Sequence, residues 1–219
     1  MNFINNGIGL LDVIEFAGTF AFAISGIRLA SAKNFDLFGA FVIGFVTAVG
    51  GGTARDLMLG LPPFWIINPV YIICCAFAVF IVAIYRKILV RLNYTFFTFD
   101  TIGLALFTVV GMEKTLDCNF PYWVAMVMGT ITGSVGGIMR DVLITEIPLV
   151  FRKEIYALAC FIGGFFYWIC DILGFPVEIS QLVAAGVVIA VRFVSVKYQI
   201  GLPTLGMKGE TKDEDQGSR

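Results

Sequence analysis

Histidine is missing from this chain, and with it the usual general base, the commonest metal ligand and the side chain that titrates near neutral pH. Charge is scarce: Asp, Glu, Lys and Arg make up 14% of the 219 residues, where a soluble domain carries about a quarter. The formal net charge is −1, and no basic stretch is interleaved with aromatics, which excludes a nucleic-acid partner. The five cysteines (Cys74, Cys75, Cys118, Cys160 and Cys170) form no CxxC pair, and four lie inside apolar runs. They read as reduced thiols serving as small hydrophobes. There is no Gly-x-Ser-x-Gly elbow, no Gly-Lys-Ser/Thr phosphate loop and no metal-spaced cluster, so the chain reads as a non-enzyme without metal or cofactor.

Apolar sequence fills the space that charge leaves. Hydrophobic residues make up 58% of the chain, with 22 Phe and 7 Tyr, and the mean hydropathy is +0.90. Seven apolar runs, at 8–30, 37–61, 69–87, 97–114, 121–146, 154–173 and 177–197, are each long enough for a membrane-spanning helix. The expected fold is an all-α integral membrane protein, one transmembrane domain over residues 1–200. A polar, disordered cytoplasmic tail is expected at 201–219. Asp12 and Glu15 in the first run argue against a cleaved signal peptide. Lys and Arg fall heavily on one side of this topology, at Arg28, Lys33, Arg86, Lys87, Arg91, Arg152, Lys153 and in the tail, against Lys114 alone on the other. The positive-inside rule then places the N-terminus outside and the C-terminus in the cytoplasm.

The chain repeats itself. Residues 12–71 laid on 97–156 without a gap give fifteen identities. They pair Gly18 with Gly103, Phe22 with Phe107, Gly26 with Gly111, Gly44 with Gly129 and Thr47 with Thr132. They also pair Gly51 and Gly52 with Gly136 and Gly137, Arg55-Asp56 with Arg140-Asp141, Pro63 with Pro148 and Tyr71 with Tyr156. Three spans per repeat is an odd number, so the second repeat (95–174) is inverted relative to the first (8–90), and the helix at 177–197 stands outside both. Inverted repeats with interrupted helices near the bilayer centre are a transport architecture.

The glycine clusters Gly50–Gly52 and Gly136–Gly137 fall near the middle of the second and fifth spans. They are expected to break those helices and to line a pathway or form a hinge, with close helix packing as the alternative. Thr47 and Thr132 precede them, their hydroxyls either facing an ion or bonding back along their own helix. Arg55, Asp56, Arg140 and Asp141 are expensive at membrane depth. Neighbours on a helix do not face one another, so their expected partners are Glu15, Asp100 or the opposite repeat. They form either a structural ion-pair lock or the ends of a selectivity network. Phe22 and Phe107 either plug the pathway or pack the core. Lys114 either senses the membrane field or snorkels to the interface.

Gly51-Gly52-Thr-Ala-Arg55-Asp56-Leu-Met-Leu-Gly60, Gly136-Gly137-Ile-Met-Arg140-Asp141-Val-Leu143 and Pro148-Leu-Val-Phe-Arg-Lys-Glu-Ile-Tyr-Ala157 together resemble the prokaryotic homologues of the trimeric intracellular cation (TRIC) channels. The resemblance spans residues 8–197 and implies seven helices, a homotrimer in the bacterial inner membrane and one ion pathway per protomer. It further implies potassium as the main permeant ion and kinked second and fifth helices that line the route at Gly50–Gly52 and Gly133–Gly137. Monovalent cations (K+ or Na+) and membrane lipids are the expected partners. The leading expectation is a potassium-favouring channel. The alternative is a secondary transporter for a small zwitterion such as glycine, and a non-transporting scaffold is the third class.

Overall fold

A computed structural model describes residues 9–91, 93–152 and 155–201. The expected polar tail beyond 201 and the basic residue Lys153 lie outside the described residues. The chain folds as α1 (Leu10–Ala32), α2 (Leu37–Met58), the one-turn α3 (Phe64–Ile67), α4 (Val70–Arg91), α5 (Asn93–Asp117), α6 (Tyr122–Leu143), a 3-10 turn at Leu149–Phe151, α7 (Ala157–Ile172) and α8 (Val177–Lys197). Each of the seven apolar runs forms one long helix. Five of these, α1, α2, α5, α6 and α8, are long and apolar enough to cross a membrane. The apolar stretch Val70–Tyr85 of α4 and the helix α7 are shorter, about 24 Å against a hydrocarbon core of about 30 Å.

Punctuation follows the repeat. Asn34 and Asn119, both at φ 61°, close the turns after α1 and α5, while Gly60 (φ 71°) and Thr145 (φ 58°) close those after α2 and α6. Asn tolerates this left-handed conformation and glycine adopts it without a steric cost. Asp36 caps α2 by accepting from Gly39 N at 2.6 Å. Proline sets the start of α3, α6, the 3-10 turn and α8 at Pro63, Pro121, Pro148 and Pro176.

The two repeats meet along α1 with α5 and α2 with α6, and in both places the contacts are reciprocal. Phe22 packs over Gly103 and Phe107 packs over Gly18, their rings 5.4 Å apart. Likewise a Cβ on Gly51 would fall onto the Thr132 carbonyl, and one on Gly136 onto the Thr47 carbonyl. As residue number rises on one helix it falls on the other, so the paired helices run antiparallel about a local two-fold. The second repeat is therefore an upside-down copy of the first.

The expected breaks are absent. α2 runs unbroken through Gly50–Gly52 and α6 through Gly133–Gly137, and non-helical backbone occurs instead at Tyr85 in α4 (φ −96°, ψ 15°). The physical reason is that lipid offers no hydrogen bonds to freed backbone groups, each of which costs several kcal/mol. Between helices in lipid the attraction is close packing, which small residues allow. Gly26 and Gly111 serve the same end, since a Cβ on either would come within 2.5 Å of the hydroxyl of Thr47 or Thr132 respectively. Gly133 packs on α5, where a Cβ would lie 2.9 Å from Leu104 O.

Ala is the better helix former by about 1 kcal/mol, yet Gly51→Ala and Gly136→Ala set a methyl against a carbonyl across the crossing. Overpacking of this kind costs about 1–3 kcal/mol. Each substitution is expected to lower the thermal midpoint of the detergent-purified protein, whereas Gly186→Ala, which meets open space, leaves it unchanged or raises it.

Candidate functional site

Each repeat carries one buried charge cluster at the end of its second helix. In the first, Asp56 accepts from Arg55 through Nε at 2.9 Å and Nη2 at 2.6 Å, and its other oxygen accepts from Phe64 N at 2.9 Å. Glu15 accepts from Tyr71 Oη at 2.8 Å and from Lys114 Nζ at 2.5 Å. The Phe64 ring lies between the two cations, 5.9 Å from the Arg55 guanidinium and 5.2 Å from Lys114. Such cation–ring contacts gain strength where water is excluded.

The second cluster repeats the plan with different partners. Asp141 accepts from Arg140 Nε at 2.8 Å and from Leu149 N at 3.0 Å. Arg140 Nη1 also reaches Asp100 at 2.5 Å and Ser25 Oγ at 2.9 Å, and its guanidinium stacks 4.7 Å from the Phe96 ring. Tyr156 Oη lies 3.5 Å from Asp100. Arg192 of α8 sits over the rings of Tyr156 (4.9 Å) and Phe97 (5.1 Å) and donates to Ile155 O at 3.2 Å.

The expectation that adjacent Arg and Asp would not meet is corrected: both pairs bond directly. The i, i+1 rule concerns a continuous helix surface. Here the second carboxylate oxygen is anchored on the backbone beyond the helix end, which turns it toward the long Arg side chain. Glu15 pairs with Lys114 rather than with Arg55, while Asp100 meets Arg140. Lys114 thus turns inward instead of snorkelling. Phe22 and Phe107 are 1% exposed and fill the α1/α5 contact as core. Thr47 and Thr132 donate back to Ile43 O and Met128 O, each at 2.6 Å, so neither hydroxyl proton is free for a ligand. Among the described residues no acidic or cysteine group converges as a metal site.

Sequence reasoning missed Arg192, Ser25 and the role of the paired tyrosines. Arg192 lies within an apolar span, and an arginine there was itself the signal. Tyr71 and Tyr156 matched across the repeats and turn out to hold the equivalent acids Glu15 and Asp100.

The charges in the first cluster cancel: Glu15 and Asp56 against Arg55 and Lys114. In the second, Asp100 and Asp141 face Arg140, with Arg192 stacked alongside. A cavity of about 260 Å³ lies beside this second cluster, lined by Leu29, Phe96, Ile144 and Leu149 together with Asp141. Outside the helices, the Lys33 ammonium donates to Glu146 and holds its carboxyl below its ordinary value. On the acid side that ion pair is lost as pH falls through the lowered value.

Removing one member of a buried ionic group costs about 3–5 kcal/mol, because the others stay behind uncompensated. Arg140→Leu is expected to lose most folded protein in a detergent size-exclusion assay. Combining it with Asp100→Asn and Asp141→Asn is expected to recover a substantial share. Equal yields for the single and triple variants would contradict the pairing.

The chain matches the family model described as Glycine transporter twice, at residues 12–87 and 97–171, once for each repeat. It is 38% identical over 203 residues to a UPF0126 membrane protein of Vibrio cholerae, covering 90% of this chain and 84% of that one. It is 36% identical over 200 residues to the UPF0126 inner membrane protein YadS of Escherichia coli K12, covering 89% and 95%. Among solved structures it is similar to the TRIC trimeric intracellular cation channel orthologue from Rhodobacter sphaeroides, at 31% identity and TM-score 0.83, over 87% of this chain and 99% of that one. A prokaryotic TRIC channel solved in 0.5 M KCl matches at 29% identity and TM-score 0.81, over 88% and 98%. A TRIC channel from C. elegans, at 13% identity and TM-score 0.58, shares the fold alone. Two inverted copies of one three-helix unit, each matching the same family model, make this chain a multi-pass membrane protein of that family and a prokaryotic homologue of the TRIC channels.

Proposed function

We propose that this protein is a potassium-favouring cation channel with one pathway in each protomer of a homotrimer. The observation that carries the reading is the likeness to a trimeric cation channel orthologue over 87% of the chain at TM-score 0.83. The pathway runs along the α2/α6 crossing, where the two helices are in close contact. There Thr47 O and Thr132 O each face a glycine of the opposite helix, and parting the helices would expose both carbonyls near mid-membrane. Carbonyl dipoles replace part of a cation's hydration shell. Arg55, Asp56, Arg140 and Asp141 hold the ends of the two helices, while the charge balance keeps the clusters from repelling a passing cation. Lys33, Arg152 and Lys197 lie at helix ends that the positive-inside rule assigns to the cytoplasm, with the N-terminus outside. The exposed α4 side chains Ile73, Phe77, Phe80 and Ile84 suit lipid or a neighbouring protomer.

A second reading rests on the description of the family model that matches both repeats: a secondary transporter for a small zwitterion such as glycine, using the same crossing. Purified protein in liposomes separates the two. The channel reading expects unitary currents in planar bilayers and potassium flux down its gradient that exceeds sodium flux. Saturable glycine counterflow without unitary currents would overturn it in favour of the transporter.

A further inference from the structure

Three charged side chains, Lys33, Glu146 and Arg152, line the cavity beside the second cluster. Glu146 accepts from Lys33 Nζ at 2.5 Å through one oxygen and lies 3.5 Å from Arg152 Nη2 through the other. Arg152 is steadied by a 2.8 Å bond from its Nε to Ile147 O. The three residues belong to separate segments: Lys33 caps the end of α1, Glu146 sits in the turn after α6, and Arg152 follows the 3-10 turn. One carboxylate therefore ties together three pieces of chain along one cavity. Its own position is fixed by the backbone, since Glu146 N donates to Asp141 O at 2.8 Å beside Thr145 at φ 58°. The same cavity is lined by apolar side chains and by Asp141.

This bridge breaks the internal symmetry. The repeat reproduces the Arg–Asp pairs, the tyrosines, the glycine crossing and the turns at the same 85-residue offset. The residues equivalent to Lys33, Glu146 and Arg152 are Cys118, Leu61 and Ile67, and none of them is charged. The triad therefore belongs to one face of the membrane only. Its side chains are exposed by 44%, 39% and 42%, so water screens the pairs, and the bias they impose is about five-fold at most. A bridge of that strength opens readily and yet favours the closed arrangement.

We infer, on the channel reading above, that this cavity is the cytoplasmic mouth of the cation pathway and that Glu146 is its latch, closing the mouth by bridging Lys33 and Arg152. Release lets the two long basic side chains extend into water. Glu146 then remains in the cavity lining as a carboxylate no longer neutralised by Lys33 and Arg152, while α1 is free to move relative to the 3-10 segment. The equivalent positions Cys118, Leu61 and Ile67 carry no charge, so this device answers to one side of the membrane.

The test uses the full-length protein, with the five native cysteines replaced, in planar bilayers and in oriented vesicles. Glu146→Gln is expected to raise the open fraction of potassium current by about two- to five-fold. It is also expected to raise, by a similar factor, the rate at which a membrane-impermeant thiol reagent applied from the cytoplasmic side labels Leu29→Cys in the cavity wall. Glu178→Gln, in the first turn of α8, changes neither. A conducting parent protein in which Glu146→Gln alters neither current nor labelling overturns the latch and leaves the channel standing. A parent protein that carries no current and no potassium flux overturns both.

Discussion

The fold rests on a backbone contact at the centre of the molecule, where α2 and α6 cross with Gly51 against the Thr132 carbonyl and Gly136 against the Thr47 carbonyl. Helices in lipid gain little from hiding apolar surface, because the surrounding chains are as apolar as leucine. They gain from approach. Only glycine brings two backbones this close, and the local two-fold makes each such glycine count twice. Gly26 and Gly111 extend the same logic to the flanking helices, letting α1 and α5 close on the threonines of α2 and α6. The crossing is thus the hub on which both repeats turn.

Charge is arranged around that hub rather than in it. Each half carries a cluster of acids and bases capped by a tyrosine and wrapped in phenylalanine rings. Buried ion groups of this kind seldom add net stability over apolar packing, but they punish the loss of any member. They register the helices against one another and leave little residual field for a permeating ion. The halves are not identical: the first cluster borrows Lys114 from the second repeat, while the second cluster has Arg192 from the helix outside both repeats. A two-fold plan is thus completed by unlike partners in the two halves.

Much of this architecture was legible in the residues. The ungapped offset exposed the inversion, the Arg–Asp pairs and the matched tyrosines, because glycine, proline and charge are too costly in lipid to recur by accident. What glycine does at mid-membrane was not legible. A glycine run permits both a break and a close crossing, and the choice depends on whether another backbone arrives to fill the space, which a single helix cannot reveal. Thr47 and Thr132 were ambiguous for the same reason, and both bond back along their own helices. The inward turn of Lys114 followed from the position of Glu15, ninety-nine residues away, beyond the reach of local pattern. Arg192 escaped because it has no repeat counterpart, although its charge in an apolar span was visible.

If the α2/α6 crossing is the closed constriction of a cation pathway, holding it shut must stop conduction. A Cβ on Gly50 would lie 2.7 Å from Met139 Sδ on the facing helix, so Gly50→Cys with Met139→Cys, in a background without native cysteines, places two thiols across the crossing. Single-channel recording of this variant before bridging, after bridging with a short bifunctional thiol reagent, and after reductive release of the link measures the dependence directly. Loss of current on bridging and its return on release is the predicted result. Undiminished current through fully cross-linked protein would place the pathway elsewhere.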